Sequence, residues 1–312
     1  MNDNFRFVLK FIGGTIVVIV LLVFGLKYIF LDRAPALPET STYAFDLDAI
    51  RDLAIAPDST LPLRLNRLVV GDASFPRTLV VAGDGWDALN MTFASFQLVY
   101  SNTTLIIDPV HSARIHGQVY ANGTYRPAAW DTQQEAMRRA SMIVATHEHF
   151  DHVGGIGEAD DLRAIHDRVV LTDAQLSSMG TDEDLRPIFP QDTLALFTPL
   201  DYDTYHALAP GVVLIEAAGH TPGSQMIFIR LQNGEELLLV GDVVWNEANI
   251  TTGRGRPLLI AQMGGEDRAA TAHQLRTLMD LHATGSPTLI ISHDGAQHEA
   301  LIARGLLGEG FE

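Results

Sequence analysis

"ATHEHFDHVGG", residues 145–155, places His147, His149, Asp151 and His152 close together, with the strand-like run "SMIVAT" leading in and Gly154-Gly155 leading out. Protonated imidazoles at such spacing would repel one another. The cluster makes physical sense when a positive charge sits among neutral imidazoles, and a metal ion is such a charge. His147 and His149 are two apart, so a turning loop can bring both to one point. Asp151 and His152 are adjacent and do not easily reach that point as well. These four donors therefore suit two neighbouring metals better than one, and each metal needs further ligands from elsewhere in the chain.

The chain supplies them where apolar runs stop. "GVVLIEA" leads to His220 in "GHTPG", "ELLLV" to Gly241-Asp242, and "PTLIIS" to His293. "TTLIID" ends at Asp108, which reads equally as a carboxylate accepting a hydrogen bond from a ligand imidazole and as a turn residue before Pro109. Loops at strand ends, held by a rigid sheet, are where function concentrates.

From residue 65 the runs "RLNRLVVG", "RTLVVAGD", "SFQLVYS" and "TTLIIDP" read as short strands, punctuated by Gly, Asp, Asn and Pro. Helices are expected at "DLDAIRDLAI", at "DTQQEAMRRA" with Asp131 as N-cap, and at "EADDLRAIHD", "DAQLSSM" and "EDRAATAHQLRTLMDLHA". "QMIFIRLQNGEELLLVGD" reads as a hairpin turning at Asn233-Gly234. Strands first, then strands alternating with helices, predict a layered α/β body.

The formal net charge of −17 argues against a nucleic-acid partner, which wants Lys and Arg against phosphate. The absence of cysteine excludes disulfides, zinc ribbons and thiol nucleophiles. The two lysines, Lys10 and Lys27, both lie in the N-terminal stretch. There, "FIGGTIVVIVLLVFGLKYIFL", residues 11–31, matches the roughly 20 apolar residues that span a bilayer as a helix. Lys27 can snorkel to the interface beside Tyr28. Ala34 and Ala36 form a signal-peptidase-like site, but the apolar run exceeds the 7–15 residues typical of a signal peptide. The expected organisation is a membrane anchor over residues 1–31, a Pro/Ser/Thr-rich linker with a short helix over 32–64, and a body over 65–312. Arg6 and Lys10 on one side nearly balance Lys27 and Arg33 on the other. A single-pass anchor with the body outside the cytoplasm, in the periplasm, is the expectation because a lone N-terminal anchor usually serves export.

H-x-H-x-D-H, then G-H-T-P-G, then G-D, then a late histidine after a strand: this ordered set resembles the metallo-β-lactamase superfamily, over roughly residues 65–312. The resemblance implies an αββα four-layer sandwich with an N-terminal transmembrane helix added. It implies that His147, His149 and His220 bind a first metal, that Asp151, His152 and His293 bind a second, and that Asp242 bridges them. Two divalent ions per chain are implied, Zn2+ foremost, with Fe or Mn also suited to these donors. Two ions sharing one water lower its pKa from 15.7 toward about 7, so a hydroxide can attack a carbonyl or phosphoryl centre. Asp151 would orient the nucleophile or pass its proton to the leaving group.

Zinc β-lactamases commonly carry a Cys where Asp242 stands, nuclease members need basic grooves, and glyoxalase II uses basic C-terminal residues where "HEALIARGLLGEGFE" holds one Arg and no Lys. The motifs are most similar to those of N-acyl homoserine lactonases. One departure is Trp245, where those enzymes often place a Tyr that contacts the substrate carbonyl. The expected function is a metal-dependent hydrolase acting on a small-molecule lactone. The alternatives are a phosphodiesterase or thioester hydrolase of the same superfamily, or a non-catalytic membrane-tethered metal-binding domain. Trp245, Arg254 and Arg256 are candidate substrate contacts, and Ile250 and Met263 are weaker ones. A solvated loop is the competing reading for "TGRGRP". His111, His116, His166, His206, His273, His282 and His298 match no motif and are expected on the surface or on helices.

Overall fold

The computed structural model describes residues 3–55 and 60–312. Helix α1 (Asp3–Lys27) runs into a π-type turn at Tyr28–Asp32, and an extended segment then leads to α2 (Leu47–Ala54), capped by the Asp46 carboxylate. There follow β1 (Arg64–Pro76), α3 (Arg77–Val80), β2 (Ala88–Val99), β3 (Thr104–Ile107), α4 (Ala113–Val119) and β4 (Thr124–Tyr125). Next come α5 (Pro127–Arg139), β5 (Met142–Val144), α6 (Phe150–Gly157), β6 (Val169–Val170), α7 (Asp173–Thr181) and α8 (Gln191–Leu194). The second half holds β7 (Tyr205–Ala209), β8 (Val212–Glu216), β9 (Gln225–Arg230), β10 (Glu236–Leu239), α9 (Glu247–Thr252) and α10 (Leu258–Met263). It closes with α11 (Arg268–Thr284), β11 (Thr288–Ile290), α12 (Gly295–Ala303) and β12 (Gly308–Glu309).

One sheet has the order β12-β1-β2-β3-β5-β6, with β4 beside β1, and the other β11-β10-β9-β8-β7. The apolar runs are continuous rather than alternating because both faces of each strand are buried. Leu105 and Ile107 of β3 pack between the sheets against Val212, Leu214, Ile227 and Leu239. Their neighbour Ile106 points outward, to a layer shared with Ile115, Met137, Val153 and Met179 of α4–α7. Val213, Ile215, Met226, Phe228 and Leu238 face outward from the second sheet onto α2 and α11. Period-two alternation thus feeds three apolar layers and yields the expected αββα sandwich. Each fully buried Ile, Leu or Phe contributes about 1.5–3 kcal/mol to holding it.

Three local expectations change. "RTLVVAGD" forms α3 and a turn, because β1 and β2 pair directly up to Pro76 and Ala88 and the residues between must reverse the chain. Asp131 is not an N-cap. Helix α5 begins earlier, at Pro127, whose missing N–H is harmless in the first turn. "EADDLRAIHD" gives two 3-10 turns, Leu162–Ala164 and His166–Arg168, rather than one helix, with the Asp161 carboxylate accepting from the Ala164 N–H.

Thr15–Asp32 has a mean hydropathy of 2.3 and none of it is buried, so this helix is long and apolar enough to cross a membrane. The extended segment after it lies on the body. Ser41 Oγ donates to the His273 carbonyl at 2.8 Å, and Leu37, Tyr43 and Phe45 join the layer under α2 and α11.

Candidate metal centre

The functional side chains gather at one end of the sandwich, on the loops that follow β3, β5, β8, β10 and β11. Two backbone devices aim them. Gly241 has φ 54°, and a Cβ there would stand 3.1 Å from that of Thr146, so the Gly-Asp turn needs glycine to present Asp242. Asp108 holds φ 53°, unusual for a residue with a side chain. Its carboxylate repays that conformation by accepting from the Thr146 N–H at 2.6 Å, the Thr146 hydroxyl at 2.8 Å and His152 Nδ1 at 2.9 Å.

The donor atoms fall into two groups: His147, His149, His220 and Asp242 in one, and Asp151, His152 and His293 in the other. In the first, His149 Nδ1 lies 3.1 Å from both His147 Nε2 and His220 Nε2. In the second, His152 Nε2 is 3.4 Å from His293 Nε2. Around a tetrahedral ion with bonds of roughly 2.0–2.1 Å, ligand atoms stand about 3.3 Å apart. Asp242 faces both groups. Its Oδ2 is 3.7 Å from His147 Nε2 and 3.4 Å from His220 Nε2, while Oδ1 is 3.4 Å from His152 Nε2 and 3.2 Å from His293 Nε2. Buried Oδ1 has no hydrogen-bond donor, the condition of a carboxylate oxygen awaiting a cation. Asp151 Oδ2 lies 3.7 Å from His293 Nε2. These residues fit divalent metal by type, spacing and unmet acceptor capacity.

Further partners orient the rings. His152 donates from Nδ1 to Asp108, and His293 donates from Nδ1 to the Thr92 carbonyl at 3.0 Å, leaving each Nε2 lone pair aimed at the centre. His220 Nδ1 is 3.6 Å from Glu266 Oε2. Glu266 in turn is paired with Arg256 at 2.5 Å, and the guanidinium carbon of Arg256 stands 4.7 Å over the Trp245 ring. Trp245 closes the loop by donating its indole N–H to Asp242 Oδ2 at 2.6 Å.

Charge follows geometry. Burial alone would raise the Asp242 carboxyl, but His293, His152 and His147 hold it well below the usual carboxylate range. Burial would lower His152, but Asp242, Asp108 and Asp151 raise it well above the ordinary histidine value, and Asp242 likewise raises His293. Burial drives His147 well down and, with Arg256, brings His220 to about 4. Burial works against Glu266, yet Arg256 and His220 bring it down to about 2. The carboxylates thus demand positive charge at the centre, which protons meet in the absence of metal and which metal would displace.

The seven candidate ligand residues come together, and Asp108 lies behind His152. Arg254 does not face the site. Its guanidinium donates to the carbonyls of Ala82 and Asp32. Arg256 is neither solvated nor free to clamp a substrate, being buried and neutralised by Glu266. Ile250 belongs to the core beneath the second sheet, and Met263 is 78% exposed. Of the unassigned histidines, His116 and His298 lie on helices α4 and α12 and His111 in the loop before α4, and all three are buried. His111 Nε2 and His116 Nδ1 are 3.1 Å apart, and the Phe93 ring packs edge-on to both.

Three residues escape sequence reasoning. Glu148 is buried and accepts from the Thr221 hydroxyl at 2.8 Å and the Gly223 N–H at 3.2 Å, tying the two histidine loops together. Its place between His147 and His149 in an extended stretch is a signal that it points the other way. Glu266 carries no local signal. Tyr120 stacks on Phe93 at 4.4 Å, and Phe93 also touches His293 at 5.6 Å. Burial raises the Tyr120 phenol, and the carboxylates that raise it further are Asp151 and Asp242.

A sandwich with His/Asp groups able to hold metal at its strand ends defines a class, the metal-dependent hydrolases of this fold. Residues 98–284 match the metallo-beta-lactamase superfamily, and the chain belongs to that superfamily. It is similar to an N-acyl homoserine lactonase of a Bacillus species, 26% identical over 152 residues, covering 49% of this chain and 55% of that protein. It is similar also to the N-acyl homoserine lactonase AiiA of Bacillus thuringiensis subsp. kurstaki, 24% identical over 159 residues, 51% of this chain and 57% of the relative. The match spans about half the length of these curated relatives. A solved quorum-quenching N-acyl homoserine lactone lactonase superposes with a TM-score of 0.62 at 16% identity, over 77% of this chain and 96% of its own. AidC, a dizinc quorum-quenching lactonase, gives 0.56 at 15% identity over 76% and 90%. These structural likenesses show the fold.

Proposed function

We propose that the protein is a membrane-anchored metal-dependent hydrolase with a dinuclear centre that opens the ring of an acyl lactone with an apolar tail. The observation that carries this reading is Asp242, whose carboxylate lies within 3.4 Å of donors of both groups, His220 on one side and His152 and His293 on the other. His147, His149 and His220 would hold one ion, Asp151, His152 and His293 the other, with Asp242 between them. Zn2+ suits the imidazole-rich donor set best. When bound, the ions supply Lewis acidity at the substrate carbonyl and a water of lowered pKa.

The chain's own residues do the rest. Asp151, mostly buried beside His152 and His293, stays ionised because those imidazoles outweigh its desolvation, and it is placed to accept the nucleophile's proton and return it to the departing alkoxide. Trp245 cannot act through a phenol, and its N–H is committed to Asp242. Tyr120 offers a phenol on the same side as Asp151 and Asp242, and its ring is fixed by Phe93 and Phe150. Its hydroxyl is the donor we assign to the substrate's carbonyl oxygen.

The phosphodiesterase reading loses its support, since Arg254 and Arg256 are both engaged within the protein. The lactonase relatives support an acyl substrate. α1 supports a single-pass anchor, and we place the body in the periplasm. The test is hydrolysis of lactone, thioester, phosphodiester and β-lactam panels by the metal-loaded full chain in detergent. Lactone opening that improves with tail length is expected. Phosphodiester turnover with no lactone opened at any length would overturn the reading, and no turnover at all would favour a metal-binding domain.

A further inference from the structure

We propose that the body rests on the bilayer through a second, interfacial contact made by the loop carrying Trp86 and by α10, beside the exit of α1. The proposal rests on the reading of α1 as a membrane anchor. Three large apolar residues are exposed here: Trp86 at 60%, Leu259 at 38% and Met263 at 78%. Scattered singly, such residues would need no explanation. These belong to the two segments against which the end of the anchor is built.

The π-type turn Tyr28–Asp32 packs on α10 and on α3. The Gly83 N–H donates to the Leu31 carbonyl at 2.9 Å, in the loop that also carries Trp86. Arg254 donates to the Asp32 carbonyl at 2.7 Å and Arg268 to the Arg33 carbonyl at 3.2 Å. The anchor therefore does not end in a free tether. Its last turn is fastened to the body by hydrogen bonds on three sides, which holds α10 and the Trp86 loop level with the helix end.

That level is the membrane surface. Lys27 and Tyr28 lie near the end of the apolar span, with Lys27 paired to Asp32 at 2.6 Å, and such residues mark the headgroup region. Leu259 and Met263 are four apart on one face of α10, so they would enter the interface together. Tryptophan, with an apolar body and one polar N–H, is suited to the same depth. The chain's charge of −17 gives anionic lipid no general reason to hold the body, so the apolar contact must do so. The junction is also linked to the metal centre through the loop that carries both arginines. Arg254, bonded to the anchor, is two residues from Arg256, which lies over Trp245, whose indole holds Asp242. An amphipathic acyl substrate partitioned in the bilayer would then approach along the Trp245 wall.

The chain has no cysteine, so single labels can be placed without background. Met263→Cys and Leu259→Cys would carry a spin label at the proposed contact. Asn233→Cys would carry it in the β9–β10 turn, at the opposite end of the strands that lead to the site. With the full chain in phosphatidylethanolamine–phosphatidylglycerol liposomes, collision with oxygen relative to a water-soluble nickel chelate should be several-fold greater at 263 and 259 than at 233. Equal ratios in a chain that resists alkaline carbonate extraction would overturn the contact and leave the anchor standing. Release of the chain by carbonate would overturn the anchor and the contact with it.

Discussion

The indole N–H of Trp245 reaches Asp242 Oδ2 at 2.6 Å, the oxygen that also faces His220 and His147. This bond helps hold the carboxylate between the two donor groups, with His152 Nε2 3.4 Å from Oδ1 and His293 Nε2 3.2 Å from Oδ1 and 3.3 Å from Oδ2. Trp245→Phe keeps the aromatic bulk beneath Arg256 and removes the N–H. Metal affinity, measured by competition with a chromophoric chelator, is expected to fall about 10–100-fold, the usual range for a partner of a ligand. Unchanged affinity would show that Asp242 needs no such support.

Asp242→Ala and His220→Ala should each lower turnover by at least about a hundredfold, more than the loss of an outer partner. Both residues sit on loops beyond β10 and β8 rather than in an apolar layer, so circular dichroism should be unchanged. Near-normal turnover in both variants would remove these residues from the metal site.

Tyr120→Phe tests the assigned donor. A hydrogen bond to developing charge contributes about 1.5–3 kcal/mol, so kcat should fall about 10–100-fold. Metal content should stay as in the parent, since Tyr120 is not among the donor groups. A change in KM alone would make Tyr120 a binding contact instead.

His298 gives a pH dependence of stability away from the metal. Burial first, then Arg67, lowers it to about 3 from 6.5. Between those values the unfolded chain binds a proton that the folded chain does not. Its contribution is therefore fully present above about pH 6.5 and is lost as pH falls toward 3. The slope is up to about 1.4 kcal/mol per pH unit. In urea titrations of the detergent-solubilised chain from pH 7 to 5, His298→Gln should reduce the fall in stability by up to that amount relative to the parent. Identical slopes would place His298 in an exposed state.

The gathering of the seven candidate ligand residues and Asp108 was legible because each follows the end of an apolar run, and a run's end is a local property of sequence. The three-layer core was legible for the same reason, since "TLII", "VVLI" and "MIFI" are too apolar for strands with a wet face. What escaped depends on contacts distant in sequence. Arg256 reads as a loop cation until Glu266 and Trp245 are folded around it. Val80 and Val81 read as strand until the β1–β2 pairing leaves them in the connection, where they pack with Met91 near Trp245. Tyr120 follows α4 with no motif around it, and it is tied to the site only through Phe93, on which it stacks and which also packs on His293.

Adding Zn2+ to the chelator-stripped full chain while following hydrolysis of a long-chain N-acyl homoserine lactone decides whether a two-metal centre opens lactones. Activity is expected to rise with added metal and to reach its plateau at two equivalents per chain. Full activity at one equivalent, or no lactone opening with both bound, would contradict that expectation.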